Sequence, residues 1–198
     1  MPGVPRDTVR RIGLLGGSFN PAHEGHSHAS ELALKQLGLD YVWWLVSPQN
    51  PLKDTGGMAS FEERMERAKN FNRHPRVIVT DIESRLGTRF TIDTLGALRD
   101  RFAQLRFVWL MGSDNLLQIP RWQRWQEIFA HVPVAVIARP GTALAALSSK
   151  AAIRFRSAYV SPSPHIAVMP PPAWTLLDAR RRNPSSATRL RKNHTSRK

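Results

Sequence analysis

The chain has no cysteine among its 198 residues. Disulfides, thiolate metal sites and a cysteine nucleophile are thereby excluded. No apolar run approaches the roughly 18 residues of a membrane helix, so no membrane partner is expected. The first eleven residues carry charge but no apolar core. No signal peptide is expected, and a cytoplasmic location follows as the default. Acidic residues are scarce: 15 Asp and Glu stand against 29 Lys and Arg, a net charge of +14. That excess attracts polyanions, and by charge alone a nucleic acid and a nucleoside triphosphate fit equally. Hydrophobic residues at 41% suffice for a core. The length suits one domain, expected over residues 11–192, with 1–10 and 193–198 as flexible ends.

What is present is an alternation of apolar runs and amphipathic stretches. Strands are expected at residues 12–15, 41–46, 76–80, 107–111 and 132–138, with a last edge strand at 174–177. Helices are expected at 24–37, from Ser60 to about residue 72, at 91–101, as one short helix at 120–129, and as a basic helix at 148–158. Ser60 with Glu63 three positions on reads as a capping box. Residues 161–164 and 170–172 are proline-rich turn or linker. Near-continuous apolar strands alternating with helices predict an α/β fold, a doubly wound parallel sheet with helices on both faces. In such folds ligands gather beyond the carboxyl ends of the strands.

The densest chemistry follows the first strand: Gly16-Gly17-Ser18-Phe19-Asn20-Pro21-Ala22-His23-Glu24-Gly25-His26. A strand, a glycine turn and a helix opening present backbone N–H groups and a helix dipole to an anion. Glycine allows the backbone to approach it closely. His23 and His26, three apart, are expected on one helix face. Two imidazoles beside a phosphate cradle suggest chemistry on a nucleotide. The stretch is not a P-loop, since no Gly-Lys-Ser/Thr follows, and it lacks G-x-G-x-x-G. A plain βα turn would leave the histidines idle. A zinc site of His23, His26 and His28 is a further alternative, but no cysteine or carboxylate stands at ligand spacing.

The motif Gly16-Gly17-x-Phe19-x-Pro21-x-His23-x-Gly25-His26 resembles the signature of the HxGH nucleotidyltransferases. Three further segments resemble the bacterial nicotinate-nucleotide adenylyltransferases among them. These are Thr91-Ile92-Asp93-Thr94-Leu95, Gly112-Ser113-Asp114-Asn115 followed by Trp122, and Ser186-Ala187-Thr188-Arg189-Leu190-Arg191. The resemblance implies a Rossmann-like nucleotidyltransferase fold and adenylyl transfer from ATP to nicotinate mononucleotide, giving deamido-NAD and pyrophosphate, a step of NAD biosynthesis. It implies small-molecule partners, Mg²⁺ shared with ATP, and no nucleic acid. Oligomeric state stays open, a homo-oligomer included.

Residue roles carry over by the same resemblance. His23, His26 and Arg191 would be catalytic. Gly16, Gly17 and Phe19 would line the ATP pocket through their backbone, Ser186 would grip its phosphates, and Asp114 would lie near its ribose or metal. Lys53, Thr91 and Trp122 would bind the acceptor, Trp122 by stacking on the pyridine. No protein side chain is expected to form a resident metal site. Two positions depart from the family pattern: Ala187 replaces a hydroxyl, and Ser113 stands where alanine is frequent, which reads as a minor change.

Each carried residue also has a plainer reading. Thr91 is a candidate N-cap, Asp114 a cap of the following turn, and Trp122 and Trp125, three apart on one expected helix, are candidate core. Sibling adenylyltransferases acting on nicotinamide mononucleotide or pantetheine phosphate share the turn motif. Class I aminoacyl-tRNA synthetases share His-x-Gly-His, but 198 residues leave little room for tRNA recognition. A basic nucleic-acid-binding protein accounts for the charge and leaves the histidines unused.

Overall fold

Six parallel strands run in the order β3-β2-β1-β4-β5-β6, with helices on both faces, in a computed structural model that describes residues 9–48 and 58–178. The strands are β1 (Arg11–Gly17), β2 (Tyr41–Val46), β3 (Val77–Thr80), β4 (Arg106–Gly112), β5 (Val134–Ile137) and β6 (Trp174–Leu177). The helices are α1 (Glu24–Gln36), α2 (Phe61–Phe71), α3 (Ile82–Leu86), α4 (Thr91–Arg101), α5 (Ser113–Gln118), α6 (Trp125–His131), α7 (Ala143–Leu147) and α8 (Lys150–Arg154). The expected doubly wound architecture is therefore the one found, down to 174–177 as an edge strand.

Alternation along the central strands builds two cores. From β4, Phe107, Trp109 and Met111 enter one core with α4 and α6, while Val108 and Leu110 enter the other with α1. Two buried faces explain why these strands read as continuous apolar runs rather than alternating ones. The strand order reverses between β1 and β4, both central and paired to each other. That reversal opens a crevice at the carboxyl edge, where the glycine turn sits.

Local rules held where they were strong. Ser60 caps α2, its hydroxyl accepting from Glu63 N at 3.2 Å while Glu63 accepts from Ser60 N at 3.0 Å. Where several short elements replace one long one, expectation and structure part. The helix expected at 120–129 is a 3₁₀ turn (Ile119–Arg121) and a separate α6. Between them Arg124 adopts a left-handed backbone (φ 44°), held by ion pairs to Asp93 and Glu127. Trp122 and Trp125 thus do not share a helix. Likewise 148–158 divides into α8 and a 3₁₀ turn (Arg156–Ala158). Helices α3, α5 and α7, five or six residues each, were not expected. They are too short to show a helical period.

Candidate active site

Two cavities open at the carboxyl edge, on either side of the end of β1. Leu15 borders one, of about 790 Å³, together with His23, His26, His28, Gly112 and Arg139. Gly16 and Gly17 border the other, of about 390 Å³, together with Glu83, Thr91, Trp109 and Trp122.

In the histidine cavity the two imidazoles are fixed by reciprocal capping. His23 is the N-cap of α1, outside the helix, and His26 is its third residue. Their proximity comes from a cap rather than from a shared helix face, which corrects the sequence expectation. His23 Nδ1 accepts from Gly25 N at 3.1 Å, and His26 Nδ1 accepts from His23 N at 3.1 Å. The rings lie 4.0 Å apart between centroids. A neutral imidazole that accepts at Nδ1 carries its hydrogen on Nε2. Both rings are therefore Nε2–H donors. Burial, the neighbouring His23 and the Arg139 guanidinium hold the His26 pKa down to about 4. Gly25 is required by the cap itself: a Cβ there would lie 2.9 Å from the His23 ring.

The turn before the cap is supported from below. Phe19 takes a left-handed backbone (φ 47°), costly for a bulky residue, and is 1% exposed. Its ring packs 4.5 Å from His26 and 5.1 Å from Trp44. Phe19 therefore places its side chain in the core beneath His26. Trp44 Nε1 donates to Ser30 Oγ at 2.8 Å, and Ser30 Oγ donates to His26 O at 2.8 Å, which ties the first turn of α1 to β2.

Arg139, just past β5, enters this cavity although sequence reasoning missed it. Its Nη1 lies 3.3 Å from Asp114 Oδ2. Asp114 thereby touches the histidine side through Arg139, and its Oδ1 is buried without a hydrogen-bond partner. Ser113 has a task that an alanine could not perform. Its hydroxyl accepts from Arg139 N at 2.9 Å and pairs with Thr142 Oγ1 at 2.6 Å. The signal available for Arg139 was its position after a strand end.

The second cavity is aromatic. Trp122 meets Trp109 edge-on at 6.5 Å. Thr91 is the first residue of α4 and Phe90 its N-cap, so Thr91 is not the cap. Gly16 belongs to this wall, since a Cβ there would fall 2.6 Å from Trp109 Cη2. Gly16 and Gly17 accordingly border the cavity of Thr91 and Trp122, not that of the histidines. Trp125 is core, edge-on to Phe129 and Phe155. Glu83 was also missed: it is buried, and burial pushes its carboxyl up to about 7.

Arg64 links the loops around both cavities. The side chain is 1% exposed. Its guanidinium donates to Ser18 O (2.6 Å), Ser47 O (2.8 Å), Pro48 O (2.9 Å) and Ala59 O (3.1 Å). A buried arginine satisfied by four carbonyls fastens the glycine turn to the loop after β2. In sequence it stands among Glu62, Glu63 and Arg67, and nothing there marks it as buried.

Of the residues named from sequence, His23 and His26 converge in one cavity, and Gly16, Gly17, Thr91 and Trp122 in the other. Lys53, Ser186 and Arg191 lie outside the described residues. Among the described residues no group of three or more His, Asp or Glu is placed to hold a metal ion, so the zinc alternative for His23, His26 and His28 has no support. No described helix is long and apolar enough to cross a membrane.

Comparison with known proteins adds a second line. The cytidylyltransferase-like family model matches residues 14–193. A "probable nicotinate-nucleotide adenylyltransferase" of Parvibaculum lavamentivorans is 61% identical over 146 residues, 74% of this chain and 73% of that protein. One of the same description from Methylorubrum extorquens is 50% identical over 183 residues, 91% of this chain and 98% of its own. In fold the chain is similar to a Plasmodium falciparum nicotinic acid mononucleotide adenylyltransferase complexed with NaAD, with TM-score 0.60 and 19% identity over 67% of this chain and 66% of that one. Half or more of the residues shared across most of the length leaves one conclusion: the chain belongs to the nicotinate-nucleotide adenylyltransferases, among the cytidylyltransferase-like proteins.

Proposed function

We propose that the family reaction, adenylyl transfer from ATP to nicotinate mononucleotide, is divided between the two cavities. The histidine cavity takes the triphosphate and the tryptophan cavity takes the pyridine nucleotide. The observation that carries this is their shared boundary, the end of β1, with Leu15 on one side and Gly16 and Gly17 on the other. Two reactants held there meet across a glycine backbone that keeps side chains out of their way.

The acceptor's own phosphate oxygen attacks the α-phosphorus of ATP, the bond to the β-phosphate oxygen breaks, and pyrophosphate leaves with the electron pair. No protein nucleophile is needed. The chain aligns attacker and leaving group and offsets charge. His23 and His26 donate Nε2–H bonds to phosphate oxygens without adding net charge. A second ring proton would confront the N–H that each Nδ1 accepts. Positive charge comes instead from Arg139 and, by resemblance, from Lys53 and Arg191, with Ser186 gripping phosphate oxygens. Trp122 stacks on the pyridine ring and Thr91 helps hold its carboxylate.

Mg²⁺ usually binds through substrate phosphates and one or two carboxylates. Asp114, with Oδ1 unpartnered beside Arg139, fits that part. Bound there, Mg²⁺ would supply charge neutralisation for the departing pyrophosphate. The excess of lysine and arginine suits a reaction between two polyanions.

An acceptor panel tests the reading. Nicotinate mononucleotide, nicotinamide mononucleotide and pantetheine phosphate are each incubated with ATP and Mg²⁺, and pyrophosphate is measured. Release is expected to be fastest with nicotinate mononucleotide. Preference for pantetheine phosphate, or no release with any acceptor, refutes it.

A further inference from the structure

The division of labour above gives Glu83 no task, yet Glu83 is built into the tryptophan cavity. It lies on α3, just past the carboxyl end of β3, and is 7% exposed. Oε1 accepts from Thr94 Oγ1 at 3.3 Å, and Thr94 Oγ1 pairs with Thr88 Oγ1 at 2.8 Å. Oε2 is buried with no hydrogen-bond partner. Trp109 Nε1, lining the same cavity, is likewise buried without an acceptor. Buried polar groups are normally satisfied, and a buried carboxylate normally has a cation. Both residues line the cavity in which a pyridine ring would stack on Trp122.

The surrounding charges do not neutralise Glu83. Among the described residues it forms no ion pair. Arg89 and Arg121 line the same cavity. On its own element, Asp81 and Arg85 pair with each other at 2.9 Å. On α4, Asp93 pairs with Arg124. The Ser47 hydroxyl, just past β2, hydrogen-bonds the carboxyl and favours its ionised form, as Thr94 does, and Trp109 lines the same cavity. With hydroxyls and no cation paired to it among the described residues, the carboxyl is held protonated by burial up to about pH 7.

We propose that Glu83 determines acceptor specificity: its unpartnered carboxyl oxygen hydrogen-bonds the substituent of the pyridine ring, donating to a carboxylate when protonated and accepting from an amide when ionised. Trp109 Nε1–H donates to an oxygen of either substituent. The preference for the acid over the amide is thus set by one proton. This rests on the reading that the tryptophan cavity takes the pyridine end.

The test is the ratio of kcat/KM for nicotinate mononucleotide to that for nicotinamide mononucleotide, from about pH 6 to about pH 8.5, read by pyrophosphate release. Both acceptors carry the same 5′-phosphate, so its titration cancels in the ratio, as do effects on ATP. The ratio is expected to fall by about tenfold or more as pH rises, because ionised Glu83 repels a carboxylate. In Glu83→Gln, which cannot ionise, the ratio is expected to be flat. In Thr94→Val, which removes a hydroxyl that favours the ionised form, the fall is expected at higher pH. A flat ratio in the wild type overturns the proposal, as does an unchanged slope in Glu83→Gln or an unmoved inflection in Thr94→Val. Absence of pyrophosphate with both acceptors in the wild type overturns the cavity reading beneath it.

Discussion

The two cavities meet at one strand end and are built differently. The histidine cavity sets one short segment against a second, residues 137–144 at and after the end of β5, with Gly112 and Asp178 beside them. His23, Gly25, His26, His28 and Ala29 come from the cap and opening of α1, and Phe19 supports them from four residues before His23. The tryptophan cavity is assembled from distant segments: the ends of β1 and β2, α3, the start of α4, β4, α5 and the turn carrying Trp122. In each, burial shifts one ionisable side chain towards its neutral form. His26 is held down to about 4, and Glu83 is pushed up to about 7. A neutral histidine still donates a hydrogen bond, and so does a protonated carboxyl. Below about pH 7 both groups can therefore act as donors to an anion without a buried charge.

The strongest test of this pairing strikes both sides at once. Arg64→Ala removes four hydrogen bonds to half-buried carbonyls of the glycine turn and the segment between β2 and α2. A loss of about 3 kcal/mol or more is expected in urea denaturation, since carbonyls are left unpaired. A loss below about 1 kcal/mol would mean that the loops hold together without it.

His26→Ala isolates the histidine cavity. Turnover is expected to drop roughly 10²-fold, as for loss of one donor to developing charge. Near-normal turnover of the purified variant contradicts the role. Trp122→Ala isolates the other cavity. Loss of one stacking surface is expected to weaken nicotinate mononucleotide binding about tenfold, with ATP binding little changed. Equal losses for both ligands, measured by calorimetry, would merge the two cavities into one site.

The smallest effect sharpens the comparison of the two neutral groups. Glu83 has a folded pKa raised above its unfolded one, so its stability is full below about pH 4.5 and lost as pH rises towards about 7. Relative to the wild type, Glu83→Gln is expected to gain on the order of 1–3 kcal/mol between those limits. His26 has the opposite sign. Its stability is full above about pH 6.5 and lost as pH falls towards about 4. A pH-independent stability difference between Glu83→Gln and wild type, measured by urea denaturation, would place that carboxylate in solvent.

Sequence reading succeeded where chemistry was dense and short in range. The turn of residues 16–26 stood out because its glycines, proline and histidines act on one another within a few positions. Ser60 and Glu63 announced the start of α2 for the same reason. It failed at Trp122 and Trp125, whose spacing is helical but whose backbone turns at Arg124. It misjudged Ser113, whose hydroxyl bonds a residue 26 positions on. Glu83 and Arg64 were not singled out, because nothing in their neighbours along the chain marks them as buried.

What the amino-acid order determined alone is the alternation of strand and helix and the capped histidine turn. Both follow from steric and hydrogen-bond preferences acting over a few residues. Packing alone decided which charges lose their water. The Arg64 guanidinium reaches Ser18 O across 46 positions, and Arg139 reaches Asp114 across 25. Neither contact exists until the sheet has brought its strand ends to one edge, and desolvation, which moves both His26 and Glu83, is a property of that edge as a whole.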